Sequence, residues 1–241
     1  MTTAKTDWKV REHGPLEQLA DNVWRVEGAL PGMSLRRTMT VVRRGDGSLL
    51  LHSPIALDEA RRRELEALGP IAVLVVPNAG HRLDAPAYKN RYPSVLIFCP
   101  RGARRKVSEL VPVDGTYDDY ADDGIVRFET LDGTGEQEGA LIVRSTDGVS
   151  LVLNDVVMNM DTKKDVLGYL FTTAFGSAPG PRISRLVRLI FVKNQPALRQ
   201  HLERLAGLPD LERLIVSHEK VSSGAAAAAD LRQAATYLKS S

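Results

Sequence analysis

Three segments of the chain end in side chains that bind divalent metals. VLVVPNAGH ends at His81, SLVLND at Asp155 and LERLIVSH at His218. Imidazole nitrogens and carboxylate oxygens are ligands that borderline metals such as zinc and iron accept. A metal held in this way polarises a carbonyl or phosphoryl oxygen and acidifies water, which is the chemistry of metal-assisted hydrolysis. We therefore take His81 and Asp155 as candidate catalytic residues and all three as candidate metal ligands.

The apolar part of each segment is a short run typical of a buried strand. A strand end is held by its sheet and is open to solvent at one edge, where α/β sheets place their chemistry. Elsewhere in the first half, alternating or apolar runs between Gly- or Pro-containing turns predict further strands and two helices. The predicted strands span 22–27, 39–42, 49–51, 73–76 and 95–98, and the predicted helices span 57–68 and about 85–91.

The second half begins with an acidic loop, 114–124, returns to strands and then becomes mainly helical. No internal repeat and no long linker divides the sequence, so we predict one domain over 1–241 with its core at about 20–235. The predicted strands here span 125–131, 140–144, 150–153 and 211–216, and the predicted helices span 163–174, 182–192, 195–206 and about 225–238.

The order of these elements and the three strand ends resemble the metallo-β-lactamase superfamily over about residues 20–235. The resemblance implies an α/β fold, specifically a four-layer αβ/βα sandwich with an active-site groove along one edge of two facing sheets. In that superfamily an Asp that bridges metals ends one strand and a His ligand ends a late strand. Asp155 and His218 stand at the matching positions.

Two other positions depart from the pattern of the superfamily. Glu136, in LDGTGEQEG, stands where the superfamily has a turn histidine, and the resemblance implies a carboxylate ligand there. His52, in LLLHSP, stands in place of an Asp-x-Gly step, which would bring it to the same groove.

The first metal-binding turn of the superfamily, His-x-His-x-Asp-His, is replaced here by NAGHRLD, which has one histidine. In one register His81 replaces the second histidine and Asp84 the third; in another register Asn78 stands at the first. The resemblance therefore implies a site with fewer metal ligands than the superfamily has. Its expected content is either no metal or one divalent metal (zinc, iron or manganese) held by His81, Glu136, Asp155 and His218.

Two functions of different classes stay open from these residues. The first is a metal-dependent hydrolase that acts on a small-molecule substrate, whose identity the sequence does not give. The second is a non-catalytic member of the fold that binds a small molecule or a protein partner in the former active-site groove. The loss of ligands from the first turn favours the second function, because fewer ligands weaken metal binding.

Composition argues against nucleic-acid and membrane partners. Lys plus Arg is 32 and Asp plus Glu is 30, which gives a formal net charge of +2, and basic residues are not interleaved with aromatic ones. No apolar run reaches the roughly 20 residues of a membrane helix, and MTTAKTDWKVREHG lacks the apolar core of a signal peptide. The single cysteine, Cys99, fits a buried position and a reducing compartment. We expect a cytoplasmic protein.

Residues 167–194 have two open interpretations. Leu, Tyr, Phe and Ile side chains are concentrated around a Gly-Pro-rich break, and four basic side chains lie at helical spacing. The segment either packs on the core or forms a lid over the groove or a homodimer surface. Two further histidines, His13 and His201, are expected to face solvent.

Overall fold

The computed structural model of the protein describes residues 7–240, within which the strands form two sheets. The larger sheet follows chain order, with antiparallel pairing from β1 to β4 and parallel pairing from β4 to β7. Its strands are β1 (Glu17–Ala20), β2 (Val23–Leu30), β3 (Met33–Arg43), β4 (Leu49–His52), β5 (Ile71–Val75), β6 (Leu96–Cys99) and β7 (Gly115–Thr116).

The smaller sheet has the order β12-β11-β10-β9-β8. The pair β10 and β11 is parallel and the other neighbours are antiparallel. A parallel pair requires a crossover connection, and the largely helical chain between these two strands supplies it. The strands are β8 (Val126–Thr130), β9 (Gly139–Ser145), β10 (Gly148–Leu153), β11 (Leu211–Ile215) and β12 (Val221–Ser223).

Several of the helices begin at a polar side chain that caps them. Asp58, Ser184 and Asn194 each accept a hydrogen bond from a backbone N–H in the first turn of α1, α5 and α6, which satisfies donors that lack a partner inside the helix. The helix α4 continues into a π-helical turn, Leu170–Ala174. The helices are α1 (Glu59–Ala67), α2 (Ala85–Arg91), α3 (Arg104–Val107), α4 (Val166–Tyr169), α5 (Arg185–Ile190), α6 (Gln195–Leu205) and α7 (Ala225–Ala235).

Three hydrophobic clusters define four layers. The middle cluster joins the facing sides of the two sheets, for example through Leu50 and Val152. A second cluster packs α1, α2 and α3 on the outer face of the larger sheet, with Tyr88 fully buried in it. A third cluster packs α6 and α7 on the outer face of the smaller sheet through Leu202 and Leu231. The predicted four-layer α/β sandwich is therefore confirmed.

The hairpin β2–β3 is longer than the sequence predicts. The runs at 22–27 and 39–42 predict only its base, whereas the strand pairing continues to Leu30 and Met33. Gly32, with φ +76°, forms the tight turn at the tip. The intervening SLRRT looks polar, but Arg37 is buried in an ion pair with Asp84. A contact between distant segments, which no local pattern shows, allows a strand there.

The expectation that His13 and His201 face solvent is wrong, because both side chains are about 5% exposed. His13 Nε2 accepts the backbone N–H of Asp58 at 2.9 Å, and His201 Nδ1 lies 3.0 Å from Asp132 Oδ2. Cys99 is buried as predicted, and burial raises its pKa to about 11. Across residues 7–240, no helix combines the length and the apolar character that crossing a bilayer requires.

Candidate metal centre

His81, Asp155 and His218 lie together beyond the carboxyl ends of strands from both sheets. His81 follows β5, Asp155 follows β10 and His218 follows β11. Asp155 Oδ1 is 3.0 Å from His81 Nε2 and 3.3 Å from His218 Nε2, and one candidate ligand atom from each residue lies within 4.8 Å of the others. The three residues thus meet as the sequence predicts. Their role as metal ligands stays a prediction.

His218 is held in place by strand β3. Thr38 donates its backbone N–H to the Ser217 carbonyl at 2.8 Å, and His218 Nδ1 lies 2.6 Å from the Arg36 carbonyl oxygen. A carbonyl oxygen only accepts, so Nδ1 carries a proton, and in the neutral ring Nε2 has a free lone pair directed toward Asp155. Metal-binding histidines commonly use their second nitrogen in this way.

His81 has a corresponding partner in Ser53, whose Oγ lies 2.9 Å from Nδ1. Ser53, His81 and Asp155 therefore share the hydrogen-bond order of a Ser-His-Asp triad. In such a triad the serine faces substrate and the aspartate is buried behind the histidine. Here Ser53 is only 2% exposed, and Asp155 is the residue that lines the adjacent cavity. Ser53 therefore orients His81 and is not placed to act as a nucleophile.

Asn78 fixes Asp155 from the opposite side. Its Nδ2 donates to Asp155 Oδ2 at 2.8 Å and to Glu138 Oε1 at 2.5 Å. Its Oδ1 accepts the backbone N–H groups of Gly80 and His81 at 2.7 and 3.1 Å, which shapes the turn that presents His81. Because both polar atoms of its amide already have these partners, Asn78 orients the site and offers no ligand atom.

Burial and neighbouring charges set the protonation of the carboxyl groups. Burial raises the pKa of Asp155, but attraction to His81 and hydrogen bonds with both histidines outweigh it and hold that pKa well below its usual range. Burial, reinforced by the negative charge of Asp155, raises the pKa of Glu138 well above its usual range. Asp155 is therefore ionised near pH 7, and the protonated form of Glu138 is favoured more than that of an exposed glutamate.

The protonation of His218 follows from the same neighbours. Burial lowers the pKa of this imidazole, but the hydrogen bond and charge of Asp155 raise it, and the Arg36 carbonyl adds to the increase. The net effect is a raised pKa. A cation that bound between the two imidazoles would take the place of the proton on Nε2.

These donors fit one divalent cation. Two imidazole nitrogens and one carboxylate oxygen form a set that occurs in catalytic zinc sites and in non-haem iron sites. Each candidate ligand also has an outer partner, namely Ser53, the Arg36 carbonyl or Asn78. Such partners fix ring tautomers and carboxylate orientation. Three protein ligands leave coordination positions open for water and substrate.

The structure does not bring Glu136 into this cluster. Glu136 is exposed and has φ +61° in a left-handed turn, and the buried carboxyl group beside Asn78 belongs to Glu138. The conformation of the turn shifts the inward-facing position by two residues. Sequence reasoning missed Glu138 because LDGTGEQEG offers two similar carboxylates and no pattern that distinguishes them.

Asp84 and His52 also lie outside the group of candidate ligands. Asp84 pairs with Arg37 and accepts the backbone N–H of Ala56 at 3.1 Å. His52 ends β4 in a buried position, and burial together with the charge of His81 lowers its pKa to about 3, so it is neutral near pH 7. Its neighbour Ser53, which sequence reasoning missed, was detectable only as a polar residue just after a strand.

A cavity of about 310 Å³ adjoins the cluster, with His81, Asp155 and His218 in its wall. The tip of the β2–β3 hairpin and the helical segment 166–191 supply much of the remaining wall. The apolar residues that line the cavity are Leu30, Met33, Leu35, Leu83, Met158, Phe171, Leu186, Val187, Ile190 and Phe191.

The segment 167–194 packs on the core, as the first interpretation predicts, and some of its side chains also line the cavity; a role as a lid stays a prediction. Ile183 and Val187 are buried in the core of the smaller sheet, whereas Phe171 and Leu186 cover the cavity. Other apolar side chains of the region are exposed, with Leu189 at 79%. The homodimer surface stays a prediction.

Three solved structures are similar to this chain in fold. DIM-1 metallo-β-lactamase exposed to ceftazidime has a TM-score of 0.62 at 14% identity, with 95% of this chain and 99% of that chain covered. The mono-zinc form of FIM-1 from Pseudomonas aeruginosa has a TM-score of 0.61 at 12% identity, with 96% of this chain and 98% of that chain covered. A metallo-β-lactamase from Hirschia baltica has a TM-score of 0.57 at 18% identity, with 91% of this chain and 97% of that chain covered. No family model and no curated protein matches the sequence.

Proposed function

We propose that this chain, which has the metallo-β-lactamase fold, is a hydrolase that depends on one divalent cation held by His81, Asp155 and His218. The observation that carries the proposal is the convergence of two imidazole nitrogens and one carboxylate oxygen within 4.8 Å, beside a cavity. The mono-zinc form of FIM-1 supports a one-metal site on this fold. The outer partners of all three residues support it further.

When bound, the cation would supply Lewis acidity and lower the pKa of the attacking water. Hydrolysis joins the water oxygen to the acyl or phosphoryl atom, breaks the bond to the leaving group and transfers a proton to that group. The chain positions the participants: Asn78 holds Asp155 Oδ2, so that Oδ1 faces the two imidazoles. The apolar cavity wall lowers the polarity around the cluster, which strengthens electrostatic interactions there.

Metal content tests the proposal. Protein purified without chelators should carry close to one equivalent of zinc, iron or manganese by elemental mass spectrometry. Asp155→Asn should lose the metal, because the substitution removes the negative charge between the imidazoles while keeping the side-chain volume. Glu136→Gln is the matched control and should retain the metal, because Glu136 is exposed outside the cluster. Retention by Asp155→Asn, or loss from both variants, would contradict the proposal.

A second candidate function is a non-catalytic protein that binds its ligand in the same cavity. Asn78 favours this function, because a position that the resemblance aligns with a metal-binding histidine is occupied here by a hydrogen-bond donor to Asp155. Protein that is purified without metal and takes up no added zinc, yet binds a ligand in the cavity, would establish this second function and exclude the first.

A further inference from the structure

The cavity beside the cluster has walls that select against charge. The β2–β3 hairpin contributes Leu30 and Met33, and the helical segment contributes Phe171, Leu186 and Ile190. Away from His81, Asp155 and His218, the lining is apolar except for Gly80 and Arg37. A charged ligand group that entered this part of the cavity would lose its hydration without gaining a partner.

Arg37 does not change this conclusion. It is the only Arg or Lys in the described lining of the cavity, it is 4% exposed, and its guanidinium pairs with Asp84 and approaches the Pro54 carbonyl at 3.3 Å. A carboxylate on the ligand would have to compete with Asp84 for the guanidinium of Arg37. Asp84 is itself held in place, because it also accepts hydrogen bonds from the Ala56 backbone N–H and from Arg11. The Arg37 guanidinium thus already has a carboxylate and a carbonyl partner within the protein.

We propose that the cavity binds a neutral acyl compound, an ester or an amide, whose apolar part lies against the hairpin and the helical segment while its carbonyl group faces the cluster. The volume of about 310 Å³ lies at the lower end of the range for small-molecule sites, which suits a small ligand. This inference names the substrate class of the proposed hydrolase and rests on it for the reaction. The binding preference itself requires no metal.

Amide binding by the full chain tests the preference without any turnover. Isothermal titration with acetamide, butanamide, hexanamide and octanamide should show affinity rising by about fourfold per added methylene. Hexanedioic acid monoamide, which has a similar size and the same amide but a carboxylate tail, should bind at least about a hundredfold more weakly than octanamide. Equal binding of the two, or no dependence on chain length, would overturn the proposal.

Helix α5 provides a matched pair of variants. Leu186 lines the cavity, whereas Leu189, three residues later, is 79% exposed and outside it. Leu186→Arg should weaken octanamide binding by at least about tenfold and tighten binding of the monoamide carboxylate, because it places a free cation in the wall. Leu189→Arg should change neither the affinity for octanamide nor the affinity for the monoamide carboxylate. Equal effects of the two substitutions would place the amides outside the cavity. Since the chain-length series uses the unaltered protein, the proposal stays testable even if a variant does not fold.

Hydrolysis of 4-nitrophenyl esters separates this inference from the proposed function. Zinc-loaded protein should hydrolyse the octanoate ester faster than the acetate ester, with Asp155→Asn inactive. Amide binding of the expected pattern without ester hydrolysis would leave the binding preference standing and count against the hydrolase. Metal-dependent hydrolysis without any chain-length preference would support the hydrolase and count against the binding preference.

Discussion

Two histidine–carboxylate clusters in this molecule have similar composition but different uses of the imidazole nitrogens. At His201, on α6, Nδ1 lies 3.0 Å from Asp132 Oδ2, and Nε2 lies 3.3 Å from Glu129 Oε2 and 2.9 Å from an Arg204 nitrogen. Both nitrogens of this ring are occupied by protein groups. Arg204 also pairs with Glu129 and so neutralises the carboxylate.

In the other cluster, the Nδ1 atoms of His81 and His218 are bonded away from the centre, and both Nε2 atoms face Asp155. No Arg or Lys pairs with Asp155 among the ion pairs of residues 7–240. The difference shows that residue types alone do not make a metal centre. Two imidazoles that face one carboxylate with no Arg or Lys partner, beside a cavity, distinguish the candidate site from the structural cluster.

The largest expected effect comes from substituting one histidine in each cluster. His218→Gln should weaken zinc binding by more than about a hundredfold, beyond the range for outer partners, because it removes a ligand. His201→Gln should leave zinc affinity unchanged and lower the free energy of unfolding by about 1–2 kcal/mol, because hydrogen bonds to carboxylates are lost. Zinc titration and urea unfolding of both variants measure the two effects. Loss of zinc binding in His201→Gln would remove the distinction between the clusters.

Asn78→Ala should weaken zinc binding by about ten- to a hundredfold, as expected for an outer partner of a ligand. Asp155 Oδ2 loses its donor, and the turn that presents His81 loses two hydrogen bonds. Asn194→Ala is a suitable control, because it removes the cap of α6, should cost about 1 kcal/mol of stability and should not alter zinc affinity. Equal zinc affinities in Asn78→Ala and the unaltered protein would show that Asn78 does not orient the site.

Ser53→Ala should have a smaller effect, about tenfold in zinc affinity, because only one hydrogen bond to His81 is lost. A fluorophosphonate probe, which labels nucleophilic serines, should not modify Ser53, because its side chain is buried away from the cavity lining. Labelling that mass spectrometry locates at Ser53 would instead support a serine triad.

The smallest expected effect concerns acid stability in the structural cluster. The hydrogen bond from His201, with the charge of Arg204, outweighs burial and lowers the pKa of Glu129 to about 2. As the pH falls, Glu129 therefore becomes protonated in the unfolded chain at a higher pH than in the folded protein. The contribution of ionised Glu129 to the free energy of unfolding is complete above about pH 4.5 and is lost as the pH falls toward 2. In Glu129→Gln the urea midpoint should depend less on pH over this interval than in the unaltered protein, and an equal dependence in the two proteins would contradict the prediction.

Part of the site could be predicted because its residues follow recognisable strands. His81, Asp155 and His218 each come after an apolar run, and strand ends of a sandwich share an edge. Glu136 could not be distinguished from Glu138, because a left-handed turn decides which carboxyl group is buried. The surrounding burial also raises the pKa of Glu138, which no spacing in the sequence indicates.

The sequence by itself determined the residue types at the strand ends and most of the strands and helices, since hydrophobic periodicity and capping act over a few neighbouring residues. Only the tertiary structure decided which group each imidazole nitrogen faces, which charges are paired and how the cavity is lined. Those properties depend on contacts between distant segments, such as that of His218 with the Arg36 carbonyl, 182 positions away. Partners so remote leave no local pattern in the chain.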